Sequence, residues 1–255
     1  MVDIHSHILP GVDDGPKTVE ESVQLLEMAV AEGITDIIAT PHAYSPHFDV
    51  PKDTVLQKTS MLNEICKEKG LSIIVHAGQE LRIKDFIVEK LKTKEALTLA
   101  DSKYVLLELP SSGIPTYTVD IIQSILSMDK VPIIAHPERN RAIAQKPERL
   151  ARLINHGALS QITAGSLAGH FGKQVQNLSL RLVEANLVHT YGSDVHNPVN
   201  RPFHFEKGLN FLDKRKLHDL ADILLENNDR ILTNEDFILL EPNALETKKW
   251  WKLLP

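Results

Sequence analysis

The sequence predicts an α/β fold, a TIM-like (β/α)7 barrel ahead of a doubly wound open sheet, forming a single domain over residues 1–255. Three observations predict it. Apolar runs alternate with amphipathic segments through seven strand–helix repeats. The strand runs are near-continuously apolar, as parallel strands buried on both faces must be. Nearly every run ends in a histidine or a carboxylate, and the C-terminal strand ends are where a barrel gathers its catalytic groups.

The elements follow in order. Val2 and Ile4 mark a first strand, and His5 and His7, two residues apart, can converge beyond its end. Thr18 and Glu21 have capping-box spacing, Val19, Val23, Leu26 and Val30 share a helical face, and Gly33 supplies a left-handed stop. A strand over 35–40 ends at Pro41-His42, a helix spans about 53–69 before Gly70, and a third strand starts at Leu71 and runs on to Glu80. Tyr104 to Leu107 leads to Glu108, and a helix over 119–128 leads to a strand ending at His136. Beyond a helix from about Pro147, a strand over 158–162 meets a glycine-rich turn, 164–169. A helix over 173–185 then precedes a strand that ends at Gly192-Ser193-Asp194, and a last major helix is expected over 214–226. The tail, from about residue 240, carries both tryptophans, Trp250 and Trp251, and is expected to pack on the outside of the barrel.

Composition narrows the function. Apolar residues at 42% and charged residues at 24% are ordinary for a globular domain. The net charge of −6 argues against a non-specific nucleic-acid binder, which needs a basic face. No run approaches a membrane span and no signal peptide is visible, so a cytoplasmic protein is expected. The lone cysteine, Cys66, sits in an amphipathic helix as a small core residue and lacks the arginine-containing phosphate loop of a cysteine phosphatase.

The strand ends collect His5, His7, His42, Glu80, Glu108, His136, Asp194 and His196, and the turn after the first strand adds Asp14, with Asp13 competing for that place. Five histidines and four carboxylates exceed what one catalytic ion takes. They suit three ions, or two with supporting residues. Imidazole and carboxylate without thiolate favour manganese, iron or zinc. His47, His76, His156, His170, His189, His204 and His218 carry no such pattern; His76 and His189 fall within strands and are expected to pack. Arg139, three residues after His136, is placed to grip phosphate oxygens, and Arg201 follows the last ligand pair and can close the same pocket. No Walker-type phosphate loop is present.

The ordered set Asp3-Ile4-His5-Ser6-His7, Thr40-Pro41-His42, Glu80, Glu108, His136-Pro137-Glu138-Arg139 and Ser193-Asp194-Val195-His196 resembles the polymerase-and-histidinol-phosphatase (PHP) superfamily. With the Val12-Asp13-Asp14-Gly15-Pro16 turn, it is similar to the bacterial manganese-dependent tyrosine-protein phosphatases of capsule and exopolysaccharide operons, the CpsB/CapC type. The resemblance implies a distorted barrel, the PHP fold, and a three-ion centre, normally Mn2+, held by the nine residues above, with Arg139 catalytic. It implies hydrolysis of phosphotyrosine by metal-bound hydroxide, on a partner tyrosine kinase among other proteins, with no nucleic acid and no membrane insertion. His42 can assist at the leaving oxygen. Rival readings are a phosphatase of a small phosphomonoester such as histidinol phosphate, a nuclease module, and a metal-stapled non-enzyme. Tyr44, His47 and the loop from Gly165 to Gly172 are expected at the rim.

Overall fold

Nine short parallel strands supply the seven staves of a closed barrel in this computed structural model, which describes residues 1–243. They are β1 (Val2–Ser6), β2 (Asp36–Ala39), β3 (His42–Ala43), β4 (Ile74–Ala77), β5 (Glu80–Arg82), β6 (Tyr104–Glu108), β7 (Val131–Ala135), β8 (Leu159–Thr163) and β9 (Thr190–Gly192). Two staves are interrupted. Pro41 separates β2 from β3, since a proline has no N–H for the ladder. Gly78-Gln79 separates β4 from β5. Hydrogen bonds bridge both breaks, from Gly78 N–H to the Ala39 carbonyl at 2.9 Å and from Glu80 N–H to the Pro41 carbonyl at 3.1 Å. The ring closes where Asp194 N–H donates to the His5 carbonyl at 2.8 Å and His7 N–H donates to the Val195 carbonyl at 2.9 Å.

The helices cover the outside: α1 (Val19–Ala31), α2 (Lys52–Lys69), α3 (Ile87–Lys92), α4 (Thr118–Leu126), α5 (Arg141–Gln145), α6 (Glu148–Asn155), α7 (Ala164–Ala168), α8 (Lys173–Glu184), α9 (Phe205–Asp213) and α10 (His218–Thr233). Thr18 caps α1 by accepting from Glu21 N–H at 3.3 Å, while the Glu21 carboxylate takes Lys17 N–H, one residue before the expected box partner. Gly33 and Gly70 follow α1 and α2 at φ +80° and +67°. Cys66 is buried in α2, an apolar packing residue.

Two expectations change. The helix expected over 214–226 starts later and runs further, as α10 from His218 to Thr233, because Lys216 turns left-handed at φ +62° in the connection that follows α9. The glycine-rich turn over 164–169 is instead the single-turn helix α7, stopped by Gly169 at φ +83°. The tryptophan-bearing tail lies outside the described residues. No helix among the described residues is long and apolar enough to cross a membrane.

Inside the barrel, Val2, Ile4, Ile38, Tyr104, Leu106, Ile133, Ala135 and Leu159 form one apolar plug, closed from below by Ile231 of α10. Simple alternation would send His5 and His7 to the face opposite Val2 and Ile4. A β-bulge resolves the conflict. Asp3 pairs with Ile37 but Ser6 pairs with Ala39, so three residues of β1 span two of β2. The extra residue shifts the parity, and both histidines turn into the barrel mouth above the plug.

Candidate metal centre

The nine residues singled out at the strand ends meet at one place, the C-terminal mouth of the barrel. They fall into four groups whose ligand-type atoms lie within 4.8 Å of one another: His7, Asp14, His42 and His196; His5, His7 and Glu80; His5, His136 and Asp194; His42, Glu80 and Glu108. Glu80 is the hub. Its carboxylate lies 2.8 Å from His136 Nε2, 2.9 Å from His42 Nδ1, 3.4 Å from His7 Nε2 and 3.6 Å from His5 Nε2. Asp194 is the second hub, with Oδ1 at 3.4 Å from His5 Nε2 and 3.5 Å from His7 Nε2.

An outer layer sets the tautomers. His5 Nδ1 faces Gln161 Oε1 at 3.0 Å, His7 Nδ1 faces Asp13 Oδ2 at 2.7 Å, and His196 Nδ1 faces the Asp194 carbonyl at 3.0 Å. Each partner is an acceptor, so each Nδ1 carries a proton and each Nε2 is the atom turned to the centre. Of the buried side-chain atoms left without a well-directed hydrogen bond, four are ligand-type atoms at this centre: His5 Nε2, His7 Nε2, His42 Nδ1 and Glu80 Oε2. Orphaned buried polar atoms cost about 1–3 kcal/mol each, and four facing one another need a shared partner. A cation fits that donor set. Imidazole nitrogens with carboxylates and no thiolate are the chemistry of manganese, iron or zinc.

Burial raises the carboxyl pKa of Glu80, yet the surrounding imidazoles outweigh it and hold the group well below the usual carboxylate range. Asp194 is likewise held well below, where Arg139 and Arg201 overcome its burial. Burial, with the neighbouring His7, pulls His196 down to about 4, and its neutral ring accepts from Arg201 Nη1 on Nε2 at 2.7 Å.

The backbone around the site is built for close approach. A Cβ on Gly15 would lie 2.5 Å from the His7 carbonyl oxygen, and one on Gly192 would lie 2.9 Å from the His5 Cβ. His136 and Asp194 occupy the left-handed region at φ +35° and +54°, strain of about 1–3 kcal/mol each that the surrounding contacts must hold.

Arg139 and Arg201 converge on Asp194 Oδ2, Arg201 at 2.7 Å and Arg139 in a short charge-assisted bond. Asp194, and neither Glu138 nor Glu148, is the carboxylate that Arg139 pairs with among the described residues. Glu138 is instead buried, accepting from Thr163 Oγ1 at 2.7 Å and Ser166 Oγ at 2.6 Å, and so pins the turn that carries Arg139. Above the nine residues opens a cleft of about 280 Å3, lined by His42, Glu80, Glu108, His136, Arg139, Asp194 and Arg201 among others. Of the expected rim, the loop before α8 reaches Arg139 through Phe171, whose ring centre lies 4.9 Å from the guanidinium. Tyr44 packs on Phe86 and His47 is exposed; Phe48 lies over His42 instead.

Sequence reasoning missed Gln161, Arg82 and the part played by Asp13. Arg82 pairs with Glu108 at 2.8 Å, so this carboxylate reaches the site already neutralised on one side. Asp13 and Asp14 divide their work: Asp13 is buried behind His7, while Asp14 faces His196 Nε2 at 3.2 Å. A signal for Asp13 was present in Asp13-Asp14-Gly15, since aspartate two residues before glycine commonly accepts that glycine's N–H, and does so here at 3.0 Å. For Gln161, inside an apolar strand, the only hint was a polar residue at a buried position.

The comparisons with known proteins accord with this geometry. A family model described as capsular polysaccharide synthesis, CpsB/CapC, matches residues 1–233. The chain is 39% identical over 249 residues to tyrosine-protein phosphatase YwqE of Bacillus subtilis, with 98% of each chain covered. It is 31% identical over 243 residues to tyrosine-protein phosphatase CpsB of Streptococcus pneumoniae, covering 93% of this chain and 100% of that one. A crystal structure from work on these two proteins, described there as unique metal-dependent tyrosine phosphatases, superposes with a TM-score of 0.94 at 39% identity over 97% of this chain and 100% of that chain. A family match over most of the chain, with relatives above 30% identity from end to end, makes this protein a member of the CpsB/CapC capsular polysaccharide synthesis family.

Proposed function

We propose that this protein is a metal-dependent protein-tyrosine phosphatase, a phosphoric monoester hydrolase acting at the cleft above Glu80 and Asp194. The observation that carries the proposal is the group of buried, unpartnered atoms on His5, His7, His42 and Glu80 beneath two arginines. The tyrosine-protein phosphatases YwqE and CpsB, matched nearly end to end, supply the substrate class. His5, His7, Asp14, His42, Glu80, Glu108, His136, Asp194 and His196 would hold the ions, for which we propose three Mn2+, with iron or zinc able to substitute. Bound there, the ions supply an activated water and neutralise phosphate charge.

The chain's own residues do the rest. Arg139 and Arg201 line the cleft as fixed cations, and each can exchange part of its hold on Asp194 for a phosphoryl oxygen. Phe171 stacks on Arg139 and Glu138 anchors its turn, so the guanidinium is preorganised and pays little to bind. His42, with its ring edge at the cleft, is assigned a second role, holding a proton near the leaving oxygen. That oxygen belongs to a phenol of pKa about 10, so it needs less help than a serine alkoxide. The assignment carries with it a single catalytic domain, a cytoplasmic location and a bacterial tyrosine kinase as partner, with no part for nucleic acid.

Turnover of a phosphotyrosine peptide, a phosphoserine peptide and histidinol phosphate, side by side with manganese added, tests the reading. The phosphotyrosine peptide should be hydrolysed fastest. Faster hydrolysis of histidinol phosphate would make this a small-molecule phosphatase.

A further inference from the structure

Beside the catalytic cleft lies a larger groove, of about 620 Å3, that the chemistry above does not use. Ser111 and Asn140 line the cleft, while their near neighbours Ser112 and Ala142 line the groove, so the two share one wall. That wall is braced. Arg141 N–H donates to the Ser111 carbonyl at 2.9 Å, and the Asn140 side-chain amide donates to the carbonyls of Pro110 and Gly113 at 2.8 and 2.9 Å.

Ile114, Val119 and Leu153 give the groove apolar surface, and Arg149 and Arg152 give it charge. The two arginines stand three residues apart on α6 and so share one helix face. Both are exposed, and neither has a carboxylate partner among the described residues. Arg149 uses one Nη1 on the Ala142 carbonyl at 3.0 Å, which holds the side chain in place and leaves its other donors for a ligand. Exposed Arg141 and Lys146 add positive charge nearby, against exposed Glu148 and Asp120. In a chain of net charge −6 this is a local reversal of sign.

We propose that this groove docks an acidic segment of the phosphoprotein substrate, a stretch flanking the phosphotyrosine that occupies the cleft. The inference rests on the tyrosine-phosphatase reading and extends it to the substrate class. Continuity with the cleft means one polypeptide can fill both at once. Paired guanidinium groups select carboxylates, and the apolar surface takes the intervening side chains. A small phosphomonoester spans the cleft alone and gains nothing from the groove.

The test uses phosphotyrosine peptides flanked on either side by glutamate, alanine or lysine, with p-nitrophenyl phosphate reporting on the cleft alone. Manganese-loaded wild-type protein is compared with R149A/R152A and R149E/R152E. For wild type, kcat/KM should be about tenfold higher for the glutamate peptide than for the alanine peptide on one flank, through KM, with the advantage shrinking in salt. R149A/R152A should lose that ratio and R149E/R152E should invert it toward lysine, while all three hydrolyse p-nitrophenyl phosphate alike. An unchanged glutamate-to-alanine ratio in the variants, or no ratio in wild type, overturns the docking site alone. Failure of every phosphotyrosine peptide where histidinol phosphate is hydrolysed overturns the parent reading, and the groove proposal with it.

Discussion

Asp13 offers the sharpest separation between an ion-holding carboxylate and one that only orients a ligand. It accepts three hydrogen bonds, from His7 Nδ1 at 2.7 Å, Gly15 N–H at 3.0 Å and His42 N–H at 3.2 Å, and none of its atoms reaches the central cluster. Asp13→Asn keeps the shape but removes the charge. It also turns an amide NH2 toward at least one of those three donors. Replacing such an orienting partner typically weakens metal affinity or activity about 10–100-fold, which is about 1.4–2.7 kcal/mol. That range matches the worth of a single hydrogen bond to a charged group, about 1.5–3 kcal/mol, so the loss of Asp13's hold on His7 accounts for it. The assay is turnover of a phosphotyrosine peptide against free manganese, with metal content measured by mass spectrometry after dialysis. For Asp13→Asn the manganese dependence should move to about 10–100-fold higher concentration, with kcat nearly restored at saturation. Asp14→Asn should instead lower kcat even in excess metal, because Asp14 faces His7, His42 and His196 directly. Wild-type manganese dependence in Asp13→Asn, or the two phenotypes exchanged, would refute the division of labour between these adjacent residues.

Three further outcomes are expected. Arg139→Ala should lower kcat about 10²–10³-fold, as loss of a preorganised charge at the transition state does, with bound manganese unchanged by mass spectrometry. Gly192→Ala should destabilise the fold by about 1–3 kcal/mol through overpacking, because its Cβ would meet the His5 Cβ at 2.9 Å; calorimetry should record a lower Tm and titration a weaker manganese affinity. His189 accepts Ser160 N–H on Nδ1 at 3.1 Å, and burial pulls its pKa down from 6.5 to about 4. Its unfolded form therefore binds the proton first, so its stabilisation is complete above pH 6.5 and falls as pH drops toward 4, by about 2 kcal/mol at pH 5. Urea unfolding at pH 7 and pH 5 should show a smaller acid loss for His189→Gln than for wild type, and equal losses would remove His189 from the account.

The barrel and its mouth were legible in the sequence because most strands are buried on both faces and nearly every stave ends in a ligand-type side chain. Glu108 and His136 stand directly at the ends of apolar runs, and the structure brings both to the site. Local pattern failed where geometry depends on distant partners. His5 and His7 share a strand with Val2 and Ile4, and nothing local discloses the bulge that puts both pairs inside the barrel. Glu80 read as the end of one long strand, yet it opens β5 after a break bridged by hydrogen bonds donated to carbonyls of the neighbouring stave. The start of the helix expected from Lys214 was misplaced for a different reason: Lys214-Arg215-Lys216 are good helix formers by propensity, yet Lys216 is left-handed and the helix begins at His218. Arg82 and Gln161 were illegible because their meaning lies in Glu108 and His5, which meet them only in the folded chain.

The central claim is that the buried, unpartnered atoms of His5, His7, His42 and Glu80 are completed by metal, and that phosphotyrosine hydrolysis depends on it. The direct measurement is turnover of a phosphotyrosine peptide by one preparation as isolated, after removal of metal with a chelator, and after manganese is restored. The account predicts activity lost on removal and regained on manganese addition, with the fold retained by circular dichroism throughout. Undiminished turnover by folded, metal-free protein would contradict it.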